Sequence, residues 1–455
     1  MRRTWLPALL IVAGAWLLQR QHILNHDVGQ FLYAGRMALS GEGRIYRDFV
    51  EFNLPLVSYL TALPAEVAAW LGIDQVTSVV TAVFLGAIGS TALTLSILAA
   101  AGIAESTLTV AATLMLAGLL GLSQPHLGQR EHLLAMLAAP WLAAVAVGGR
   151  GSVAAALLAG LGFALKPHFL LLPAAVLLAA GGWRLAVPAV AVALACHAAT
   201  LALFPEYLSA IVPMAARFYA AWQVPPWRLL AEPAVVTAVA AAALGLRLAP
   251  GRGALVLAGA VLGGIAVFAG QARGYDYHRL PLLLAAMAMV ALPALRRPAL
   301  GLLLAAMAAA PLGRALEPWP YVQVVRRLAP EVRSCPPPAW VAAFSMHTFP
   351  LFPLLDVAGG RNALRYPSLW MWPAIDGSSS LRLAADEARP FLRDVVADLR
   401  AHPPCLIVVD DNSWGDRPHP IVPMLSAEAG FVEFWADYRQ SLTVGGYTVW
   451  RRAVP

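Results

Sequence analysis

Four short stretches of this chain gather side chains that can move protons or bind anions. The first is His26-Asp27-Val28-Gly29-Gln30-Phe31-Leu32-Tyr33, with Tyr46-Arg47-Asp48 and Asn53-Leu54-Pro55 soon after. The second is Gln124-Pro125-His126-Leu127-Gly128-Gln129-Arg130-Glu131-His132, and the third is Leu165-Lys166-Pro167-His168. The fourth is Gln271-Ala272-Arg273-Gly274-Tyr275-Asp276-Tyr277-His278-Arg279. A carboxylate such as Asp27 or Glu131 can take the proton of an attacking hydroxyl. Lysine, arginine and histidine in the later stretches are donors suited to a phosphate.

Each feature also has a plainer explanation. Asp27 opens a helical pattern and suits a helix N-cap. Arg130 and Glu131 suit an interfacial ion pair with snorkelling side chains. Tyr275 and Tyr277 suit interfacial anchors, whereas His278 and Arg279 at the start of an apolar run are less readily explained that way. Lys166 is the only lysine among 32 basic residues, so a compact ammonium stands where arginine serves everywhere else. His26, Asp48, Arg130 and His132 are secondary candidates on proximity alone. No zinc-ligand spacing, phosphate-cradling glycine loop or serine elbow occurs in a fitting context.

The elements that position these loops are hydrophobic. The chain has 455 residues, 60% apolar and 13% charged, which excludes an ordinary soluble globular protein. Apolar runs lie at 5–18, 76–99, 107–122, 133–147, 152–165, 169–181, 185–204, 233–246, 254–270, 280–295 and 298–313. They predict about eleven membrane spans, several shorter than the usual twenty residues. The net charge of +7 sits mostly in short loops without aromatic interleaving, so nucleic-acid binding has no footprint. The first run reads as an uncleaved helix, because no small-x-small cleavage site follows it.

Pro55 to Leu71 decides the topology, since one more span would reverse every later loop. Pro64 and Glu66 in so short a run suit an interfacial or re-entrant helix. With Met1-Arg2-Arg3 inside, Arg150, Arg184, Arg247 with Arg252, and Arg296-Arg297 then fall on the cytoplasmic side, as the positive-inside rule requires. The four chemistry-bearing stretches fall outside. Polar residues concentrated beside one face of a membrane usually serve a site.

Residues 1–313 thus read as a membrane domain with a first outer loop at 21–75, and 314–455 as a soluble extracytoplasmic domain. In the latter, Trp340 to Phe344 and Cys405 to Val409 read as buried strands and Asp386 to Arg400 as an amphipathic helix. Tyr438 to Arg451 reads as two strands turning at Gly445-Gly446, and a small α/β sandwich results. Cys335 and Cys405 could form a disulfide in an oxidising compartment. His347, Arg361, Arg365, Trp370 and Trp372 could stack on a sugar, or be the surface and core of a small domain.

Taken together, these residues resemble a known family. D-x-x-x-F-L-Y-A-G-x-x-x-L-x-G from Asp27, a later Y-x-D and N-L-P, and an acid opening a later span look like the GT-C membrane glycosyltransferases. The similar group is the protein-mannosyltransferase and aminoarabinose-transferase-like enzymes that use polyprenyl-phosphate sugars. The resemblance implies a polytopic helical protein of the bacterial inner membrane with its site at the outer face. Asp27 would be the catalytic carboxylate, Glu131 the second-loop acid, and Lys166, Arg273, His278 and Arg279 the donor-phosphate contacts. Many members carry an adjacent acidic pair where this chain has His26-Asp27-Val28. That departure weighs against a metal site or a two-carboxylate mechanism; a divalent metal stays open, and no other cofactor is implied. Donor and membrane lipid are the implied partners, with a glycan, lipid or protein acceptor and inversion by direct displacement. A lipid or solute transporter or flippase is the rival from another class, though such proteins usually show repeated halves with broken helices. A structural subunit of an envelope assembly is a third.

Overall fold

The computed structural model describes residues 5–19, 23–149, 152–295, 297–314, 320–377, 383–411 and 420–453. Met1-Arg2-Arg3, Arg150 and Arg296, which enter the orientation argument, lie outside the described residues. The chain divides into two compact units. One comprises Met1–His22, Thr77–Leu203 and Gln223–Glu317, and the other Ile23–Val76, Phe204–Trp222 and Pro318–Pro455.

The first unit is helical. Alanine and leucine runs without a polar partner for the backbone satisfy their own amides as helix. Five helices are long and apolar enough to cross a membrane: Gln75–Ala100, Glu105–Leu122, Trp183–Leu203, Arg252–Gly270 and Asp276–Ala294. Shorter apolar helices cover Leu6–Gln19, Val153–Phe163, Pro167–Ala180, Pro233–Leu248 and Pro298–Gly313. Arg130–Ala146 adds a helix that opens on charged residues. Small residues bring neighbours together: a Cβ on Gly263 would lie 2.7 Å from the Leu172 Cα, so only glycine permits that approach. Gly148 and Gly149 turn the chain with φ of +86° and +81°, the left-handed region that favours glycine.

The second unit is built on a five-stranded sheet: β1 (Trp340–Phe344), β2 (Arg361–Asn362), β3 (Leu406–Asp410), β4 (Tyr438–Val444) and β5 (Tyr447–Arg452). The order is β2-β1-β3-β5-β4, with β1 parallel to β2 and β3, and β5 antiparallel to both of its neighbours. Alternate residues of β1 and β3 face opposite sides. Ala342, Phe344 and Ile407 meet Trp372 and the Phe391, Val395 and Leu399 face of helix Ala385–Ala401. Val341, Ala343, Leu406 and Val408 meet helix Pro320–Arg333 through Val322, Val325, Leu328 and Val332. With both faces covered there, β1 and residues 406–409 of β3 are apolar. The expected α/β sandwich is present with its strands, its helix and its hairpin. Cys335 and Cys405 are disulfide-bonded with Cα atoms 6.0 Å apart, tying the end of helix Pro320–Arg333 to the start of β3.

Residues 21–75 read from the sequence as the first outer loop of the membrane domain; Ile23–Val76 belong instead to this second unit. Ile45, Tyr46 and Val50 enter one core layer, and Ile23, Ala34 and Phe49 enter the other. Helix Pro55–Trp70 has 16 residues with Pro64 inside. Its Leu63, Val67 and Trp70 are 50%, 53% and 87% exposed, an apolar stripe at helical spacing on the side away from its buried residues.

Candidate functional site

In the helical unit, three chain segments converge on Glu131. Arg130 and Glu131 form the first turn of helix Arg130–Ala146, reached from a π-helical stretch at Ala117–Leu122. The Glu131 side chain is wholly buried, and its Oε1 lies 2.5 Å from Lys166 Nζ, itself 12% exposed. Lys166 precedes the 3₁₀ turn Pro167–Leu170 and also donates to Gln271 Oε1 at 2.6 Å. His278 Nε2 lies 3.9 Å from the same Glu131 oxygen. Tyr277 presents its ring to both Lys166 Nζ and Arg130, at 5.8 Å and 5.9 Å from the centroid. Arg130 and Arg273 bear electrostatically on Lys166 as like charges.

The buried Glu131 carboxylate thus pairs with Lys166 and lies near His278, with Arg130 and Arg273 close enough to act on Lys166. Several polar atoms here are buried without a hydrogen-bond partner among the described residues: Glu131 Oε2, His278 Nδ1, Gln271 Nε2 and the Gln124 side-chain amide. Native proteins rarely leave such groups unsatisfied, and they mark a place where a polar ligand or water belongs.

The other residues in these loops divide clearly. His132 is held on both ring nitrogens: Nδ1 accepts from the Gly128 amide at 3.1 Å, and Nε2 donates to the Leu119 carbonyl at 2.9 Å. It staples the loop to the preceding helix. Arg279 is engaged by Glu232 at 3.2 Å and Asp276 at 3.0 Å, which neutralises much of its charge.

In the second unit, Asp27 lies in the first turn of helix His26–Leu39. Asn25 is the N-cap, its Oδ1 accepting from the Asp27 amide at 3.0 Å, so the cap is supplied without the Asp27 carboxylate. That carboxylate is 17% exposed and lies 3.5 Å from His26 Nε2, whose ring is 43% exposed. Asp48 is exposed and accepts from the Arg44 amide at 2.8 Å, closing a turn. Gly29 and Gly35 let the helix pack closely. A Cβ on Gly35 would fall 2.2 Å from the Ser58 carbonyl oxygen, and one on Gly29 would fall 2.9 Å from Asp356 Oδ2.

Sequence reasoning missed two carboxylates here. Glu51 is wholly buried and hydrogen-bonded to Gln30 and Asn53. Both oxygens of Asp356 are buried without a hydrogen-bond partner among the described residues. Burial holds the Asp356 carboxyl well above the usual carboxylate range, with Arg36 opposing. Glu51 sits between Val50 and Phe52, an apolar setting that is the one sequence signal for a buried acid.

The tail residues that could have stacked on a sugar are mostly occupied. Trp372 is fully buried in the core. Arg365 grips Asp398, with Nη2 2.7 Å from Oδ1, and Arg361 pairs with Glu42 at 2.6 Å. Trp370 is half-buried, its ring 4.4 Å from Tyr219 and 4.6 Å from Phe52. Among the described residues, no group of three or more His, Cys, Asp or Glu side chains could hold a metal ion.

No family model and no curated protein matches the chain. Among solved structures, it resembles ArnT from Cupriavidus metallidurans bound to undecaprenyl phosphate, with a TM-score of 0.60 and 13% identity over 98% of this chain and 97% of that one. The apo state of the same protein gives a TM-score of 0.44 and 14% identity over 97% of each chain. At such identity the likeness is one of fold alone: the chain has the fold of that ArnT.

Proposed function

We propose that the chain is a membrane glycosyltransferase. It moves a sugar from a polyprenyl-phosphate donor to a glycan, lipid or protein acceptor of the cell envelope, at the outer face of the bacterial inner membrane. The observation that carries this is the buried Glu131–Lys166 pair, set among basic side chains and unsatisfied polar atoms at the ends of apolar helices. A lipid-linked phosphate needs such a place: an anion site level with the membrane surface. The ArnT of like fold was solved with undecaprenyl phosphate, a lipid of this class.

Transfer by direct displacement needs little more. The acceptor oxygen attacks the anomeric carbon, the bond from that carbon to the phosphate oxygen breaks, and the sugar inverts. The acceptor proton goes to the Asp27 carboxylate, and polyprenyl phosphate leaves with the bonding electrons. As a phosphate with its own charge, it needs cations rather than a proton donor. Lys166, Arg130 and Arg273 supply them, Glu131 holds Lys166 in place, and His278 offers a further contact. Arg279 anchors its own loop.

About eleven spans place these loops and the Pro318–Pro455 segment outside the cytoplasm, provided helix Pro55–Trp70 stays at the surface. Its exposed stripe of Leu63, Val67 and Trp70 fits the lipid headgroup boundary. The Cys335–Cys405 bridge fits an oxidising compartment. Topology reporters fused after Gly149 and after His402 test this, and a cytoplasmic His402 overturns it. The function is tested in vesicles supplied with polyprenyl-phosphate sugars. Asp27→Asn is expected to lower transfer by ~10²–10⁴-fold, and full activity in that variant removes Asp27 from the mechanism. In a deletion strain, loss of one envelope sugar with normal donor levels supports transfer. Donor accumulating on the inner leaflet supports a flippase instead.

A further inference from the structure

Glu51 takes no part in the roles above, yet it is wholly buried in a loop. Such an acid is tolerated only when hydrogen bonds replace its hydration. Here they do: Oε2 accepts from Gln30 Nε2 at 2.6 Å, and Oε1 accepts from the Asn53 amide at 2.9 Å and from Asn53 Nδ2 at 2.5 Å. The Tyr46 hydroxyl completes the network by donating to the Asn53 carbonyl at 2.6 Å. Tyr46 itself holds φ of +77°, a left-handed conformation costly for a tyrosine, which the surrounding bonds must stabilise.

The partners show what the network joins. Gln30 lies on helix His26–Leu39, about one turn beyond Asp27. Asn53 stands just ahead of helix Pro55–Trp70. The two helices also touch at Gly35 and Ser58, further along the first of them. That contact fixes the middle of the Asp27 helix, and the Glu51–Gln30 bond fixes its beginning. With both oxygens already accepting, Glu51 is poorly placed to act as a base itself.

We infer that Glu51 is the positioning residue of Asp27. By holding Gln30 it sets the direction of the first helical turn, and with it the aim of the Asp27 carboxylate. This rests on the reading of Asp27 as the base. A misaimed base slows the chemical step without weakening donor binding, so Glu51 controls kcat rather than KM.

The test uses the full-length protein in vesicles with a polyprenyl-phosphate sugar. Glu51→Gln puts an amide donor against the donors of Gln30 or Asn53, and is expected to lower kcat ~10–100-fold with KM for the donor unchanged. Adding Gln30→Glu restores one amide–carboxylate bond with its ends exchanged and is expected to recover most of kcat. Hydrogen exchange of the backbone amides at 28–33 should quicken in the single variant and slow again in the double. Wild-type kcat in Glu51→Gln, or a loss of kcat with exchange at 28–33 unchanged, overturns the inference. Full activity in Asp27→Asn defeats the base assignment separately, because the exchange measurement does not depend on transfer.

Discussion

Lys166 is the side chain whose removal tests the anion site most directly, because structure and catalysis predict different responses to a second change. Lys166→Met leaves the Glu131 carboxylate wholly buried with its 2.5 Å partner gone. Breaking a buried pair from one side costs ~3–5 kcal/mol, because the remaining charge is uncompensated. Adding Glu131→Gln removes that charge and returns most of the loss, leaving ~1 kcal/mol for altered hydrogen bonds. Catalysis should not follow. If the ammonium stabilises the departing phosphate, its absence costs ~10²–10³-fold in transfer, or about 2.7–4 kcal/mol. The penalties for stability and for transfer are thus similar in the single variant, and only the double separates them. Thermal unfolding of the detergent-solubilised protein and initial transfer rates in vesicles measure the two. The double variant is expected to melt near the wild type and remain slow, with Glu131→Gln alone, which keeps the ammonium, between. Near-wild-type transfer in the double variant would refute the phosphate role and reduce Lys166 to a counter-ion of Glu131.

Asp356 supplies a pH-dependent prediction. The unfolded chain releases this proton near the ordinary value of 3.8, whereas burial makes the folded chain hold it to much higher pH. Across that interval the native state binds the extra proton, so stability falls as pH rises. Asp356→Asn should therefore raise the melting temperature at pH 8 and have little effect near pH 4; an equal gain at both would show that the carboxyl is not held protonated. Replacing Cys335 and Cys405 together by serine opens a loop with a sequence separation of 70. The loss is expected to be ~4 kcal/mol, read as a lower denaturation midpoint that a reducing agent lowers no further.

Much of the second unit was legible because its signals are local. The β1 run is apolar throughout and β3 is apolar as far as Val409, since both faces of the sheet are covered, and Gly445-Gly446 marks the hairpin. Helix Ala385–Ala401 shows the apolar spacing of a half-buried helix. Strand β2, with two residues, has too short a period to be read. The candidate site was legible in part. Lys166 stood out by residue type, and Glu131 by its cost beside a membrane. The bond from Lys166 to Gln271 joins residues 105 positions apart in the chain, and no local pattern encodes that. The partners of two further candidates were not legible either: His132 is held by Leu119 and Gly128, and Arg279 by Glu232 and Asp276.

The amino-acid sequence by itself determined where the apolar helices lie, where the apolar runs give way to a segment of mixed polarity, and which loops carry charge. Hydrophobic periodicity and composition act over a few residues, so they can be read without coordinates. Only the tertiary structure decided which charges are compensated. Burial of Glu51 among Gln30 and Asn53, capping of the Asp27 helix by Asn25, and the pairing of Glu131 with Lys166 all depend on partners brought together by packing. The same is true of residues 23–76, whose place in the core of the second unit is set by contacts with segments some 300 positions away.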